Sequence, residues 1–424
     1  MSGQMPSLTE QLATHLLRPV DADMRAAARL HLLDWLGCVA GALRSPVCDV
    51  ARAAEPDRLT RAAMLGNVLE MDDVDRLGRL HPGPVVWPAA LCAAREEKAT
   101  MAALLEGAVR GYEAMVRIGR SLDDHHYAHW HPTTTAGGFG AAAASASVFA
   151  MTAEQTVWAL GHAGSLAGGL WQMRHEPVMT KAVHVTQAAL AGLWHSRLAR
   201  RGCTGPRAIL EGPQGLYAAA TKSPRPEAVS ADLEGWRMAE VSFKPWAACR
   251  HTHPAIDAAL LLGEGLLAGE IRIETYGDAL VFCDRPHPRT VSEAKFSLQH
   301  SVAVVAVRGR PSLADFEDAA LQDPALVAAR ARVTVVRDAG FDAAYPAHFG
   351  ARIRVGGRAV EVSDAWGDPE NPLDAAGVEA KARSLMAWGG LSELEADAAC
   401  ALALDSPDGA PAAALVALLE GWLA

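Results

Sequence analysis

No two of the seven cysteines stand at Cys-x-x-Cys spacing. Cys38, Cys48, Cys92, Cys203, Cys249, Cys283 and Cys400 are odd in number and scattered through 424 residues. A disulfide framework or a zinc ribbon is therefore not expected, and the pattern fits a reducing, cytoplasmic setting. No Lys/Arg cluster appears, and the net charge is −10. A nucleic-acid binder shows a basic face, so no nucleic-acid partner is expected. Overall acidity does not exclude an anionic substrate, because local cations decide that. The stretch MSGQMPSLTEQL lacks a basic region followed by an apolar core, so no signal peptide is read there. No uninterrupted apolar run reaches the ~20 residues of a membrane helix, and no membrane partner is expected. Internal repeats are also missing.

Half the residues are apolar and 21% are charged, a globular composition. Residues 1–234 read as helix after helix. Leu32, Leu36, Val39, Ala40 and Leu43 share one helical face, as do Met101, Leu105, Ala108, Tyr112 and Met115. Thr152 and Gln155 form a capping-box pattern. Abundant Ala and Gly predict closely approaching helices. Beyond residue 235 the texture changes. IRIETYG (271–277) and ARVTVVRD (331–338) alternate as half-buried strands do, and RIRV-GG-RAVEV across Gly356–Gly357 predicts a hairpin. One helical stretch, about 293–308, lies between the strands, and GDPENPL (367–373) breaks the chain before further helices. The fold class predicted is mainly α with an α+β lid. A large all-helical domain (1–234 and 370–424) carries a smaller α/β domain with an antiparallel sheet (235–369).

Four clusters carry candidate chemistry. EMDDVDRLGRLHPG (70–83) sets Glu70, Asp72, Asp73 and Asp75 ahead of Arg76, Arg79 and His81. It reads either as a charged loop or as groups that hold and deprotonate a polar ligand. HHYAHWHPTTTAGG (125–138) offers His125, His126, His129 and His131 as metal ligands, acid/base groups or a polar loop. The HHxxHxH spacing matches no metal motif, and metal sites need defined geometry. His131, fixed beside Pro132 at a helix start whose backbone N–H groups attract anions, is the expected working histidine. Its three companions are expected to be loop residues. Lys181 opens an alanine-rich helix as a solvated residue or a charge clamp, and His184 reads as structural. KPWAACRHTHPAID (244–257) brings Lys244, Cys249, Arg250, His251 and His253 into a polar interdomain stretch. Arg matches carboxylate geometry, and Cys249 reads as an inert thiol.

These blocks, in order, resemble the MmgE/PrpD family: LDWLG (33–37), HPGPVVWPAAL (81–91), GYEAMVRIG (111–119), the 131–144 stretch, KPWAACRHTHPAIDAAL (244–260), PRTVSEAKFSL (288–298) and GDPENPL (367–373). The family's named members include 2-methylcitrate dehydratase, cis-aconitate decarboxylase and iminodisuccinate epimerase. The resemblance implies a helical domain with an α/β lid, a homodimer, and neither a metal nor an organic cofactor. It implies catalytic roles for His81, His131 and Lys181, and substrate contacts for Lys244 and Cys249. Arg250, Glu70 and His300 complete the expected substrate-binding set. Three positions depart from the family pattern: Glu70 replaces the first acid of D-x-D-D, Val74 replaces a threonine, and His300 replaces a tyrosine, with Gln299 before it. They point to a substrate different from methylcitrate or cis-aconitate, or to altered chemistry.

The activity implied is that of a lyase on a small anionic di- or tricarboxylic acid. A proton is abstracted next to a carboxylate, with loss of water or carbon dioxide. His131 and His81 divide the acid and base roles, and Lys181 clamps the developing charge. Closure of the lid is expected to bring Lys244 and Arg250 to a second carboxylate. Three other readings stay open: an epimerase on the same scaffold, a metal-dependent hydrolase using His125–His131, and a catalytically silent binding protein.

Overall fold

The computed structural model describes residues 5–55, 57–176, 178–263, 266 and 269–424. The first four residues of the stretch read for a signal peptide lie outside them. The chain divides into two compact units. One comprises Met1–Val68, Asp72–Val241 and Asp374–Ala424; the other comprises Leu69–Met71 and Ser242–Leu373.

The larger unit is helical throughout. Its centre is built from the helices Ala22–Gly41, Gly83–Glu97, Met101–Ser121, Pro132–Val148 and Thr180–Arg200. Small residues make the crossings. A Cβ placed on Gly140 would lie 2.7 Å from Met115 Cβ, and one on Gly111 would lie 2.8 Å from Ala144 Cβ. The 101–121 and 132–148 helices are thus in near backbone contact and run antiparallel. Gly137 faces Ala188 and Gly192 faces Ala141, so the 132–148 and 180–200 helices run parallel. Tyr112, Met115, Leu105 and Leu32 are buried, as the helical periodicity predicts. The capping box at Thr152 is formed, with both reciprocal hydrogen bonds present. The C-terminal Ala375–Gly389 helix packs on 22–41, where Gly37 faces Ala382. The segment Ala22–Arg44 has the length and apolarity of a membrane span, but 83% of its most apolar window is buried inside the protein.

The smaller unit holds a four-stranded sheet in the order β2-β1-β3-β4. The strands are β1 (Ile271–Thr275), β2 (Val333–Arg337), β3 (Ala351–Val355) and β4 (Arg358–Val362). The β3–β4 hairpin forms as expected, with Gly356 and Gly357 at φ 52° and 83° in the turn. The antiparallel expectation needs correction: β2 pairs parallel to β1, with Ile271 opposite Val333. Residues 276–332 supply the crossover that a parallel pair requires, and they fold into several helices rather than one stretch. The expected 293–308 helix is two, Val291–Lys295 and Leu298–Arg308, divided at Phe296–Ser297. Ser297 caps the second by accepting the His300 N–H at 3.0 Å.

Gly192 is the sharpest test of the helix contacts. A Cβ there would overlap Ala141 Cβ and the Gly138 carbonyl oxygen. Gly192→Val should destabilise the helical unit by about 3 kcal/mol, because backbone at a crossing cannot yield as a side chain can. Gly421→Ala, where the added methyl meets open space, should leave stability within about 1 kcal/mol of the parent. Urea unfolding followed by helical circular dichroism measures both.

Candidate active site

The 70–83 segment folds into a closed loop. Asp75 and Leu80 exchange backbone hydrogen bonds at 2.8 and 3.2 Å, and the Gly78 N–H donates to Asp75 Oδ2 at 2.6 Å. Arg79 takes φ 54° to complete the turn. His81 emerges from it with its N–H donating to Thr133 Oγ1 at 3.1 Å. Its ring Nδ1 lies 2.9 Å from Asp72 Oδ2 and 3.0 Å from the Asp73 carbonyl oxygen. Both neighbours accept only, so Nδ1 carries the hydrogen. A neutral His81 then has its lone pair on Nε2.

Asp73 anchors this arrangement. Its carboxylate accepts from Tyr112 Oη at 2.6 Å and from the Gly83 N–H at 2.8 Å, and His31 Nδ1 sits 2.8 Å away. Burial, and then the Asp73 charge, push the Tyr112 phenol well above its usual range. A second buried acid, Asp34, pairs with Lys381 Nζ at 2.5 Å. Burial pushes Asp34 up to about 6, against the lowering effect of Lys381.

His131 is the N-terminal flank of the 132–148 helix, with Pro132 in its first turn. Its N–H donates to the Gly169 carbonyl at 2.7 Å, which draws residues 168–171 across the helix start. The expected open backbone amides are partly used: Thr134 and Thr135 N–H both donate to the His131 carbonyl, at 2.9 and 3.1 Å. The His131 ring is 1% exposed. Trp171 lies over it at 4.5 Å between centroids, and His184 Nδ1 lies 3.3 Å from His131 Nδ1. Burial holds His131 well below the usual histidine range, and the charges of Lys181, His184 and His81 depress it further, with Asp72 opposing. His81, His131 and Lys181, distant in sequence, thus form one electrostatic cluster.

The other histidines of the cluster part company. They lie on the short helix Asp124–His129 rather than in a loop. His126 is fully buried, with Nε2 at 3.0 Å from Thr135 Oγ1, so its role is in the helix packing. His125 and His129 face each other at 5.0 Å between ring centroids. Their partners differ from those of His131, so the four imidazoles share no coordination sphere. Among the described residues, one group of His, Asp and Glu has ligand atoms close together, His348, Asp364 and Glu370, at the exposed side of the smaller unit.

Within the smaller unit, Lys244 is fully buried with Nζ 3.4 Å from Glu70 Oε2. Glu70 takes φ 57°. The Cys249 N–H donates to the Lys295 carbonyl at 2.8 Å. Its thiol is lowered first by a hydrogen bond with Cys283, and Glu70 and Lys244 both act on it electrostatically. Glu70, Lys244 and Cys249 therefore form a second cluster. Arg250 and His300 do not join it. Arg250 pairs with Asp368 at 2.5 Å and donates to the Ala365 and Trp366 carbonyls. His300 places Nε2 at 2.7 Å from the Asp315 carbonyl and Nδ1 at 3.0 Å from Arg330 Nη1. Burial pushes it down to about 4, so it is a neutral packed histidine. Val74 is buried in the helical unit.

Sequence reading took His184 as structural and passed over Trp171, Thr134 and the His31–Asp73–Tyr112 network. His184 was within reach: three residues after Lys181 on a helix, it shares that lysine's face. The others are joined only by the fold.

The fold is thus a large helical body that gathers two imidazoles and a lysine, with a small mixed-sheet unit beside them in sequence. Comparison with known proteins agrees: the MmgE/PrpD N-terminal domain matches residues 60–229 and the C-terminal domain matches 246–405. The chain belongs to the MmgE/PrpD family. It is 27% identical over 392 residues to the cis-aconitate decarboxylase-like protein oryM of Aspergillus oryzae, covering 80% of this chain and 81% of that protein. It is 27% identical over 206 residues to human cis-aconitate decarboxylase and 26% identical to the mouse protein. Those two matches cover 46% of this chain and 42% of each relative.

The buried acids generate a pH-dependent prediction. The folded pKa of Asp34 is raised to about 6, so its ionisation opposes folding as pH rises, and Lys381 offsets that. Lys381→Met should cost about 3–5 kcal/mol at pH 8, where a lone carboxylate would be buried. The loss should shrink at pH 5, where Asp34 takes a proton. Urea midpoints at the two pH values measure the difference.

Proposed function

We propose that this chain is a lyase acting on a small di- or tricarboxylic acid, taking or returning a proton beside a carboxylate as water or carbon dioxide leaves. The observation that carries this reading is His131, buried and held neutral beside the Lys181 cation. A neutral imidazole accepts a proton from carbon, and the lysine stabilises charge gathering on the adjacent carboxylate. A bound carboxylate also brings negative charge to the cluster and raises the His131 pKa toward working pH. His81, with Nδ1–H on the Asp73 carbonyl and the Asp72 carboxylate beside it, offers Nε2 as the second acid/base group. In dehydration the leaving hydroxide takes a proton from an imidazolium. In decarboxylation the carbanion left by carbon dioxide takes it. The family membership and the relatives named cis-aconitate decarboxylase support carboxylate chemistry of this kind. Two imidazoles with basic Nε2 atoms also suit epimerisation, which product analysis separates from the other two.

The reading includes a homodimer and a carboxylate as the only small-molecule partner. Leu166, Leu170, Val178, Met179, Val183 and Trp194 are large apolar side chains left exposed in the helical unit, which supports burial against a second copy. Light scattering should return twice the 44.7 kDa chain mass.

The direct test is a screen of cis-aconitate, citrate and 2-methylcitrate, following C=C absorbance and carbon dioxide release. With the substrate found, His131→Ala and Lys181→Ala should each lower kcat by about 10²–10⁴-fold with the helical circular dichroism intact. Asp72→Asn, which removes the anionic partner of His81, should cost on the order of tenfold to 10²-fold. Undiminished turnover in both the His131 and Lys181 variants would refute the assignment.

A further inference from the structure

His184 is one helical turn beyond Lys181, half-buried, and aimed at His131. Its Nδ1 and the His131 Nδ1 are 3.3 Å apart. Two imidazole nitrogens at that distance cannot both carry hydrogen, and two lone pairs there repel. One hydrogen is therefore shared between two rings. The rings are tilted by 36° with centroids 5.5 Å apart, so the contact runs edge to edge through nitrogen and is not a stack. Among the described residues, Thr134 Oγ1 also meets His131 at Nδ1, at 3.2 Å. A hydroxyl turns either way and selects neither tautomer. Both contacts leave Nε2, on the far side of the ring, for a substrate.

Charge decides which ring holds the hydrogen. If His184 donates, His131 must carry its own hydrogen on Nε2, inside a site where His131 is 1% exposed. If His131 donates, the second hydrogen sits on His184 Nε2, on a ring that reaches solvent. The Lys181 cation acts on the His131 ring, and a cation favours a bare ring nitrogen over an outward N–H, so the second arrangement is favoured.

We propose that His184 is a positioning residue for His131: it accepts the His131 Nδ1 hydrogen and thereby fixes an unprotonated Nε2 toward the substrate. The inference rests on the reading of His131 as the acid/base group. In the step it serves, the substrate C–H bond breaks, its electron pair stays on carbon, and a new N–H bond forms at His131 Nε2. The imidazolium keeps its Nδ1–H on His184, which remains neutral and accepts the stronger, charge-assisted hydrogen bond. Wrong-tautomer variants of comparable histidines elsewhere lose most of their rate with the geometry kept.

The experiment uses the full chain with ¹⁵N-labelled histidine and reads ring tautomers by NMR at pH 7.5. In the parent, His131 should show Nδ1 protonated and Nε2 bare. His184→Asn sets an amide atom where Nδ1 was and should preserve that tautomer. His184→Gln sets it where Nε2 was, and His184→Phe removes it; both should give a mixture at His131. With cis-aconitate as the probe, the Phe and Gln variants should lose on the order of tenfold to 10²-fold in kcat with KM little changed, and Asn should restore most of it. A parent with Nε2 protonated, or an unchanged His131 tautomer in the Gln and Phe variants, overturns the inference. Should the Phe variant fail to fold, the Asn/Gln pair still decides it. The tautomer readout needs no turnover. A protein that shows the tautomer lock but converts no carboxylate keeps the histidine pair and removes the reading of the reaction instead.

Discussion

Near-contact of helix backbones is the constraint on which the site depends. Gly137 against Ala188 and Gly192 against Ala141 set the 132–148 and 180–200 helices side by side and parallel. Parallel helices bring their starts together. The register that seats those glycines also puts His131 opposite the turn holding Lys181 and His184. Wider helix spacing, as leucine at the crossings would impose, would part the two imidazoles. The alanine and glycine content of these segments therefore sets the histidine contact as well as the packing, because a 3.3 Å nitrogen contact tolerates little drift.

Around that pair the fold arranges charge in layers. Asp72 holds His81, Asp73 holds the turn that carries His81, and Tyr112 and His31 hold Asp73. Asp34 and Lys381 form a further buried pair behind them. Burying this many ionisable groups is costly unless each finds a partner. The partners come from four separate chain segments, so the network closes only when the helical unit is assembled. In front of them His131 is deeply buried and held below the usual histidine range by burial and by the Lys181 charge.

The helical unit was legible because its signals are local. Periodicity, the Thr152 capping box and the Pro132 helix start each depend on residues within a few positions of one another. The β3–β4 hairpin was legible for the same reason, since Gly356–Gly357 dictates its turn. The parallel pairing of β1 with β2 was not, because strand direction is set by the path of 57 intervening residues, which no local pattern records. Arg250 and His300 show the same limit from the other side. Arg250 was read from a polar stretch and His300 from a departure from the family pattern, yet Asp368 engages the first and Asp315 and Arg330 the second, and those partners lie 15 to 118 positions away.

By itself, the sequence determined the residue types and the order of the motifs, and with them the family, since His81-Pro82-Gly83, His131-Pro132 and Lys181 are written in the chain. It also determined the long helices of the helical unit, because side-chain periodicity and caps act over one or two turns. Only the tertiary structure decided which histidine works with which. His184, Trp171 and Asp72 acquire their meaning from neighbours that arrive through space. The physical reason is range: propensity and capping act within a turn of helix, whereas burial, tautomer and pKa depend on atoms a few ångströms away, whatever their place in the sequence.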